Sequence, residues 1–138
     1  MKYEDLSPGD SLPDRTVEDV DATDMKLIAA ILQDPYPVHY DPQASSALGF
    51  PGRLNQGPAN LSYIFQCVYD VLASPGDLRS FESSYHDMVF EDETVTASAT
   101  VADKRIEDGD GLVTFEVTLT KEDGSVAVDG TVTARLPR

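Results

Sequence analysis

Two side chains capable of acid–base chemistry, Asp34 and His39, stand five residues apart in a proline-rich stretch of the sequence. Pro35 and Pro37 lie between them and restrict the backbone, so we expect the carboxylate and the imidazole to converge on one location. A carboxylate and an imidazole that share a water molecule can transfer protons near neutral pH. The pair is therefore a candidate catalytic site, although a loop histidine often serves only as a hydrogen-bonding residue.

A second candidate is Gly57, which begins the segment with the strongest helical pattern. Pro58 suits a first helical turn, the stretch from Pro58 to Ala73 carries a broad apolar stripe, and Ser74-Pro75-Gly76 ends it. A backbone N–H group at a helix start has no intrahelical acceptor and lies at the positive end of the helix dipole. It can bind the oxygen of an activated carbonyl group while the acid–base pair moves protons beside it.

Two further helices and an edge strand are predicted around these residues. A helix over Asp24–Gln33 is expected to be capped by Thr23. Its apolar face is expected to consist of Leu27, Ile28, Ile31 and Leu32. Residues 34–57 form a long loop rich in Pro and Gly, in which only Pro42–Leu48 can form a short helix. A turn and a short edge strand are predicted near Leu12 and Val17.

The second half of the chain changes to an alternating pattern rich in Val, Thr and Phe, which is typical of strands. Strands are predicted at residues 81–90, 93–106, 111–121 and 126–136, with hairpin turns at Gly109–Gly111 and Asp123-Gly124. This order predicts an α+β fold in a single domain over residues 1–138, with a long central helix wrapped by a curved antiparallel sheet. Exposed sheet edges and a largely apolar helix predict a homodimer.

The composition limits the classes of partner. The 138 residues carry 25 Asp and Glu against 10 Lys and Arg, for a formal net charge of −15. We therefore expect no binding to nucleic acids or to anionic membranes. Such a surface is typical of proteins that work at high salt, and an ordinary acidic cytoplasmic protein is the alternative. No apolar run is long enough to span a bilayer, and Met1–Asp5 lacks a signal-peptide pattern, so we expect a cytoplasmic location.

The remaining residues with metal-binding or nucleophilic potential have structural interpretations. A single cysteine and two histidines do not supply the ligands of a structural zinc site. Cys67 lies in the central helix, with no histidine near it in sequence, and is expected to be a small buried apolar residue. His86 falls within the first predicted long strand and is expected to be structural.

The loop sequence DPYPVHYDPQASSALGFPGRLNQG resembles the signature of the MaoC-like, R-specific enoyl-CoA hydratases, a family of hotdog proteins. The positions that match the family spacing are Asp34, Pro37, His39, Asp41, Ala44, Gly49, Phe50 and Gly57. The order of a short helix, a loop, a central helix and a run of long strands matches as well. The resemblance therefore covers nearly the whole chain.

This resemblance implies hydration of a trans-2-enoyl-CoA to an (R)-3-hydroxyacyl-CoA, or the reverse dehydration, with no metal or redox cofactor. It implies that Asp34 and His39 hold the reacting water and that the Gly57 N–H binds the thioester oxygen. Asp34 is expected to take a proton from the water and His39 to deliver one to the α-carbon, although these roles can be exchanged. The candidate substrate-binding residues are Arg53, for a phosphate of CoA, and Gln56, Ser62 and Phe65.

Several positions depart from the family pattern. Tyr36 stands in place of an Asn, and Gln56 in place of the histidine before the glycine. Phe65 replaces a serine found in some hydratases, with Ser62 one turn earlier as a possible substitute. These departures leave open an alternative function, a non-catalytic acyl-CoA-binding subunit or the partner subunit of a hotdog heterocomplex. A hotdog thioesterase is a third alternative, but Asp70, the only acid in the central helix, lies at its far end.

Overall fold

One antiparallel sheet of five strands supports the helices, and the structure, a computed structural model, describes residues 1–138. The helices are α1 (Ala22–Leu32), α2 (Pro42–Ala47) and α3 (Gly57–Tyr69). The strands are β1 (Arg15–Val17), β2 (Leu78–Tyr85), β3 (Val95–Glu107), β4 (Asp110–Lys121) and β5 (Val126–Leu136). Single 3₁₀ turns occur at Tyr3–Asp5, Pro37–His39 and Pro75–Asp77. None of the helices has the length and apolar character that crossing a membrane would require.

The strands follow the order β1-β3-β4-β5-β2 across the sheet. β3, β4 and β5 are joined in sequence by two hairpins. The first hairpin turns at Asp108 and Gly109, which have positive φ angles of 52° and 87°. Two such residues form the tight turn whose twist suits antiparallel strands. Irregular pairing between Val101 and Asp103 bends the long β3 strand. This sheet and the central helix α3 together confirm the predicted α+β hotdog architecture.

The core lies between α3 and the sheet, where α3 packs against β1, β3 and β4. Its largest fully buried apolar side chains are Phe115, Met25, Ile64, Leu119 and Leu136. Cys67 is also buried, and its thiol donates a hydrogen bond to the Pro13 carbonyl at 3.3 Å. Burial raises the pKa of this thiol to about 11, so it stays protonated at neutral pH. The prediction that Cys67 is a buried structural residue is confirmed.

The α1 helix differs from its prediction in both its cap and its buried face. Asp21, rather than Thr23, is the N-cap, because its carboxylate accepts a hydrogen bond from the Thr23 N–H at 2.5 Å. The buried residues of α1 are Met25 and Ala29, one turn apart. The exposed residues include Leu27, Ile31 and Leu32 from the predicted apolar face. The preceding Val20 fixes this orientation, since its N–H and C=O pair with Glu93 and Asp92.

Other element boundaries also differ from the sequence prediction. The first long strand ends at Tyr85 rather than at residue 90, because the next two N–H groups both turn toward the Ala127 carbonyl. Asp92, with φ of 65°, then reverses the chain into β3. The central helix ends at Tyr69, four residues before the predicted end. The short edge strand β1, the short helix α2 and both hairpins between the last three strands are confirmed, although the first hairpin turns at Asp108 and Gly109 rather than at Gly109–Gly111.

Candidate active site

The structure brings the side chains of Asp34 and His39 together. The Asp34 N–H donates to the Ala29 carbonyl just beyond the end of α1, which fixes where its carboxylate starts. The 3₁₀ turn Pro37–His39 then carries the imidazole back, so that His39 Nε2 lies 3.2 Å from Asp34 Oδ2. The His39 side chain is 9% exposed and that of Asp34 is 32% exposed. The imidazole is therefore held inside the protein while the carboxylate opens to solvent.

The second ring nitrogen of His39 determines what the first can do. His39 Nδ1 lies 2.6 Å from the Leu54 carbonyl oxygen, which can only accept a hydrogen bond, so Nδ1 carries a proton. In neutral His39, Nε2 therefore presents a lone pair to Asp34 Oδ2. Two acceptors at this distance need a proton between them or a water molecule that donates to both. The pair is thus arranged to hold a water or to share a proton.

Tyr36 orients both members of the pair. Its backbone N–H donates to Asp34 Oδ1 at 3.1 Å, which leaves Oδ2 to face the imidazole. Its ring packs edge-on against the His39 ring, with the centroids 5.6 Å apart and an interplanar angle of 84°. The residue that departs from the family pattern at this position therefore contacts both functional side chains.

The chain segment that carries the Leu54 carbonyl is held by hydrogen bonds on both of its sides. On one side, the Leu54 N–H donates to the Val38 carbonyl at 2.9 Å, and the Val38 carbonyl also accepts a hydrogen bond from the buried Ser45 hydroxyl at 2.9 Å. On the other side, residues 53–55 pair antiparallel with residues 89–91 ahead of β3. The acceptor of the His39 proton is therefore part of a short strand that pairs with the chain just ahead of β3.

Arg53 and Glu91 reinforce this short strand. The Arg53 guanidinium donates to Glu91 Oε2 from Nε at 2.9 Å and from Nη2 at 2.6 Å, and its backbone N–H donates to Oε1 at 2.8 Å. These hydrogen bonds lower the pKa of the Glu91 carboxyl. Gly52 permits the contact, because a Cβ atom there would lie 2.8 Å from Glu91 Cγ. The cation predicted to meet a CoA phosphate is thus already paired with a carboxylate of its own chain.

Gly57 is the first residue of α3, so its N–H has no intrahelical acceptor. It follows Leu54 by three residues, which places it within about 10 Å of the carbonyl that binds His39. The Tyr85 hydroxyl donates to the Gly57 carbonyl at 3.1 Å, and a Cβ atom at Gly57 would lie 3.3 Å from the Tyr85 ring. Partial burial raises the pKa of Tyr85 and keeps its hydroxyl a donor at neutral pH. The helix start is therefore held by Tyr85, three residues along the chain from the carbonyl that binds His39.

The side chains of the other predicted substrate-binding residues form no hydrogen bond with Asp34 or His39. Gln56 is 1% exposed, its Nε2 donates to the Met25 carbonyl at 3.0 Å, and its Oε1 has no hydrogen-bond partner. The Ser62 hydroxyl donates to the Ala59 carbonyl within α3 at 2.7 Å. Phe65 lies two helical turns beyond the start of α3, about 12 Å along its axis. Its ring packs against that of Phe81 in β2, with the centroids 5.0 Å apart.

Three residues of this region carry no assignment from sequence: Ser45, Tyr85 and Glu91. Glu91 is 38 residues from Arg53 and Tyr85 is 28 from Gly57, so no local spacing connects them. The one available signal for Glu91 was Arg53 itself, a rare cation that follows Gly52 in an acidic chain.

His86 lies just after β2 rather than within it, and its Nε2 is 2.9 Å from Asp129 on the exposed surface. No three His, Cys, Asp or Glu side chains come together as a metal site.

An open groove of about 630 Å³ reaches Asp34 of the acid–base pair from solvent. It runs between α1 and the loop that follows it, and Asp34 forms part of its wall. The full set of lining residues is Lys26, Ala29, Ala30, Gln33, Asp34, Pro35 and Tyr40. A substrate can therefore approach Asp34 without displacing any part of the protein.

Comparisons with known proteins agree on the fold. The sequence model of the MaoC-like domain family matches residues 7–123. Solved structures similar to this one include the unliganded R-hydratase PhaJ1 from Pseudomonas aeruginosa, with a TM-score of 0.88, 22% identity, and coverage of 99% of this chain and 86% of that chain. The (R)-hydratase from A. caviae involved in PHA biosynthesis has a TM-score of 0.83 and 22% identity over 96% of this chain and 98% of that one.

A third similar structure is the ChsH1–ChsH2 complex from Mycobacterium tuberculosis. Its TM-score is 0.78 and its identity is 23%, with coverage of 95% of this chain and 98% of the matched chain. No curated protein matches the sequence significantly. At these levels of identity, the solved structures establish a shared fold.

Proposed function

The chain belongs to the MaoC-like dehydratase family, and from that premise we propose that it hydrates trans-2-enoyl-CoA thioesters to (R)-3-hydroxyacyl-CoA, or catalyses the reverse dehydration. The observation that carries the proposal is the approach of His39 Nε2 to Asp34 Oδ2 at 3.2 Å, with His39 Nδ1 bound to the Leu54 carbonyl. This arrangement gives one acid–base pair whose carboxylate lines an open groove. The similar fold of two R-hydratases supports the same reaction.

The proposed hydration begins with a water molecule held between Asp34 and protonated His39. The water oxygen bonds to C3 of the enoyl group as Asp34 takes one of its protons. The electron pair of the C2–C3 double bond moves into the thioester, whose oxygen gains negative charge and accepts a hydrogen bond from the Gly57 N–H. His39 then delivers a proton to C2. The roles of Asp34 and His39 can be exchanged without changing the balance, and proton exchange with solvent restores both groups.

The direct test is to incubate the purified protein with crotonyl-CoA and with longer trans-2-enoyl-CoA thioesters. Loss of the enoyl absorbance, together with a product oxidised only by a dehydrogenase specific for (R)-3-hydroxyacyl-CoA, is the expected result. A protein that converts none of these thioesters in either direction would refute the proposed activity. A protein that binds acyl-CoA but does not hydrate it would instead support the alternative of a non-catalytic subunit in a heterocomplex.

The thioesterase alternative receives less support from the site. Asp70, the acid on which it depends, is the exposed C-cap residue of α3, at the opposite end of the helix from Gly57. A helix of this length separates its two ends by about 20 Å. Release of free CoA from an acyl-CoA by the wild-type protein would be the result that restores this alternative.

We also propose that two copies of the chain form a homodimer. β2 is an edge of the sheet, so the outer backbone groups of its eight residues have no partner strand. An aromatic patch lies beside it, formed by Phe65, Tyr69, Phe81 and Tyr85; the last three are 38%, 47% and 50% exposed. A second copy that pairs its own β2 antiparallel would satisfy the edge and cover the patch at once. Tyr85 contacts Gly57, so this interface would adjoin the active site.

A further inference from the structure

Seven of the ten basic side chains of this acidic chain are already engaged within the protein. Those that contact a carboxylate are Arg53, Arg79, Arg105, Lys121, Arg135 and Arg138. Lys104 donates to the backbone carbonyls of Tyr3 and Leu6 and lies over the Tyr3 ring. Lys2, Arg15 and Lys26 are the remaining cations, and the structure pairs none of their side chains with a carboxylate. An anion that binds this protein has few free cations to meet.

One of these three cations, Lys26, lines the groove that leads to Asp34. Lys26, Ala29, Ala30 and Gln33 follow the helical spacing that puts residues on one face of α1. Lys26 and Leu32, the last residue of α1, are six residues apart, which corresponds to about 9 Å along the helix axis, and Asp34 follows two residues later. They are the only charged residues of the groove, and between them its lining includes small alanine side chains. The groove therefore connects the carboxylate of Asp34 to an unpaired ammonium group.

We propose that Lys26 binds a phosphate group on the carrier arm of the thioester substrate. This inference rests on the proposed function, because it assigns one end of the groove to the substrate of that same site. In a CoA thioester, the extended pantetheine arm separates the reacting acyl group from the first phosphate. With the enoyl group at Asp34, an arm laid along the alanine face of α1 brings its phosphate to the lysine. The whole chain has a net charge of −15 and repels such a polyanion, so one local cation carries much of the recognition.

Kinetics with a series of truncated thioesters test this assignment. The series is crotonyl-CoA, crotonyl-4′-phosphopantetheine and crotonyl-pantetheine, and only the last lacks a phosphate. Lys26→Gln is expected to raise KM for crotonyl-CoA by about three- to tenfold, the range for a charge-assisted contact that is open to solvent, and to leave kcat unchanged. KM for crotonyl-pantetheine should be the same in both proteins. Salt dependence alone would not serve, because salt also screens the general repulsion.

Two further variants control for net charge and for folding. Lys2→Gln removes the same charge at a different place, because its neighbour Tyr3 packs against Gly111 at the end of the sheet where β4 begins. This variant should change none of the KM values. Lys26→Arg should keep KM for crotonyl-CoA within about twofold, since a guanidinium also binds phosphate.

The pattern across the series decides the result. An effect of Lys26→Gln on both phosphorylated substrates assigns the contact to the pantetheine phosphate, and an effect on CoA alone assigns it to the nucleotide phosphates. Equal effects on all three thioesters, or no effect on any, would overturn the inference while leaving the proposed hydratase activity intact. If the wild-type protein converts no thioester in the series, the proposed function itself fails.

Discussion

Replacement of Glu91 by Gln should weaken both the fold and the site. The Glu91 carboxylate is 15% exposed and accepts three hydrogen bonds from Arg53, two of them from the guanidinium. Glutamine has only one acceptor oxygen, and its amide N–H groups would face an N–H donor of Arg53. Hydrogen bonds to charged groups contribute about 1.5–3 kcal/mol each when protected from water, and solvent access to the Arg53 side chain reduces this. We expect Glu91→Gln to lower the free energy of unfolding by about 1–3 kcal/mol at pH 7.

The pH dependence of this loss identifies its cause. Because the hydrogen bonds from Arg53 lower the pKa of Glu91 in the folded state, the folded protein binds a proton there less readily than the unfolded chain does. The pair therefore stabilises the fold above the usual glutamate pKa of about 4.3, and this contribution disappears as pH falls through the lowered value. In urea denaturation, the difference between wild type and Glu91→Gln should shrink steadily below about pH 4.

The same substitution should reduce activity, because Arg53 and Glu91 hold the strand whose Leu54 carbonyl binds His39. We expect kcat for crotonyl-CoA to fall several-fold. Glu116→Gln is a matched control, since Glu116 is exposed on β4 and the change in net charge is identical. A difference in stability that stays constant from pH 7 to pH 3, or that equals the effect of the control, would refute the role assigned to the pair.

Three further predictions concern the interface, the surface and Gln56. Phe81→Glu should shift the protein from dimer to monomer in light scattering while preserving its circular dichroism; a wild type that scatters as a 15.0 kDa monomer would exclude the dimer. The melting temperature should rise with NaCl, because salt shortens the Debye length from ~10 Å at 0.1 M to ~3 Å at 1 M; a flat or falling response would contradict a surface adapted to salt. Gln56→Leu should change the free energy of unfolding by less than about 1 kcal/mol, since it removes a buried acceptor without a partner but also the hydrogen bond from Nε2 to the Met25 carbonyl; a loss above about 2 kcal/mol would show that Oε1 binds a buried water.

The fold was predictable because the elements that define it follow strong local patterns. The stripe of α3 and the alternation in β3, β4 and β5 each specify a period, and Gly109 and Asp123-Gly124 supply turn residues. The face of α1 was not predictable from its own residues. Leu27 and Ile31 are more apolar than Ala29, yet the pairing of Val20 with residues 92 and 93 determines which side of the helix meets the core.

The candidate site divides in a similar way. Asp34 and His39 were found from spacing because two prolines and one 3₁₀ turn lie between them, so their approach is a local property. The contacts that orient them are not local. The Leu54 carbonyl is 15 residues from His39, and Glu91 is 38 residues from Arg53. Such contacts depend on how a Pro- and Gly-rich loop packs against the start of β3, and periodicity carries no information about that packing.

The most direct test of the central claim, that Asp34 and His39 act on one water molecule, is the turnover of Asp34→Asn, His39→Ala and the double variant with crotonyl-CoA. Each single substitution should reduce kcat by about 10²–10⁴, and the double variant should lose far less than the product, because either change disables the same unit. Asp41→Asn is the matched control, since its side chain caps α2 by accepting from the Gln43 N–H and asparagine can do the same; it should lose less than about tenfold. Near-full activity in both single variants, or losses that multiply in the double variant, would contradict the claim.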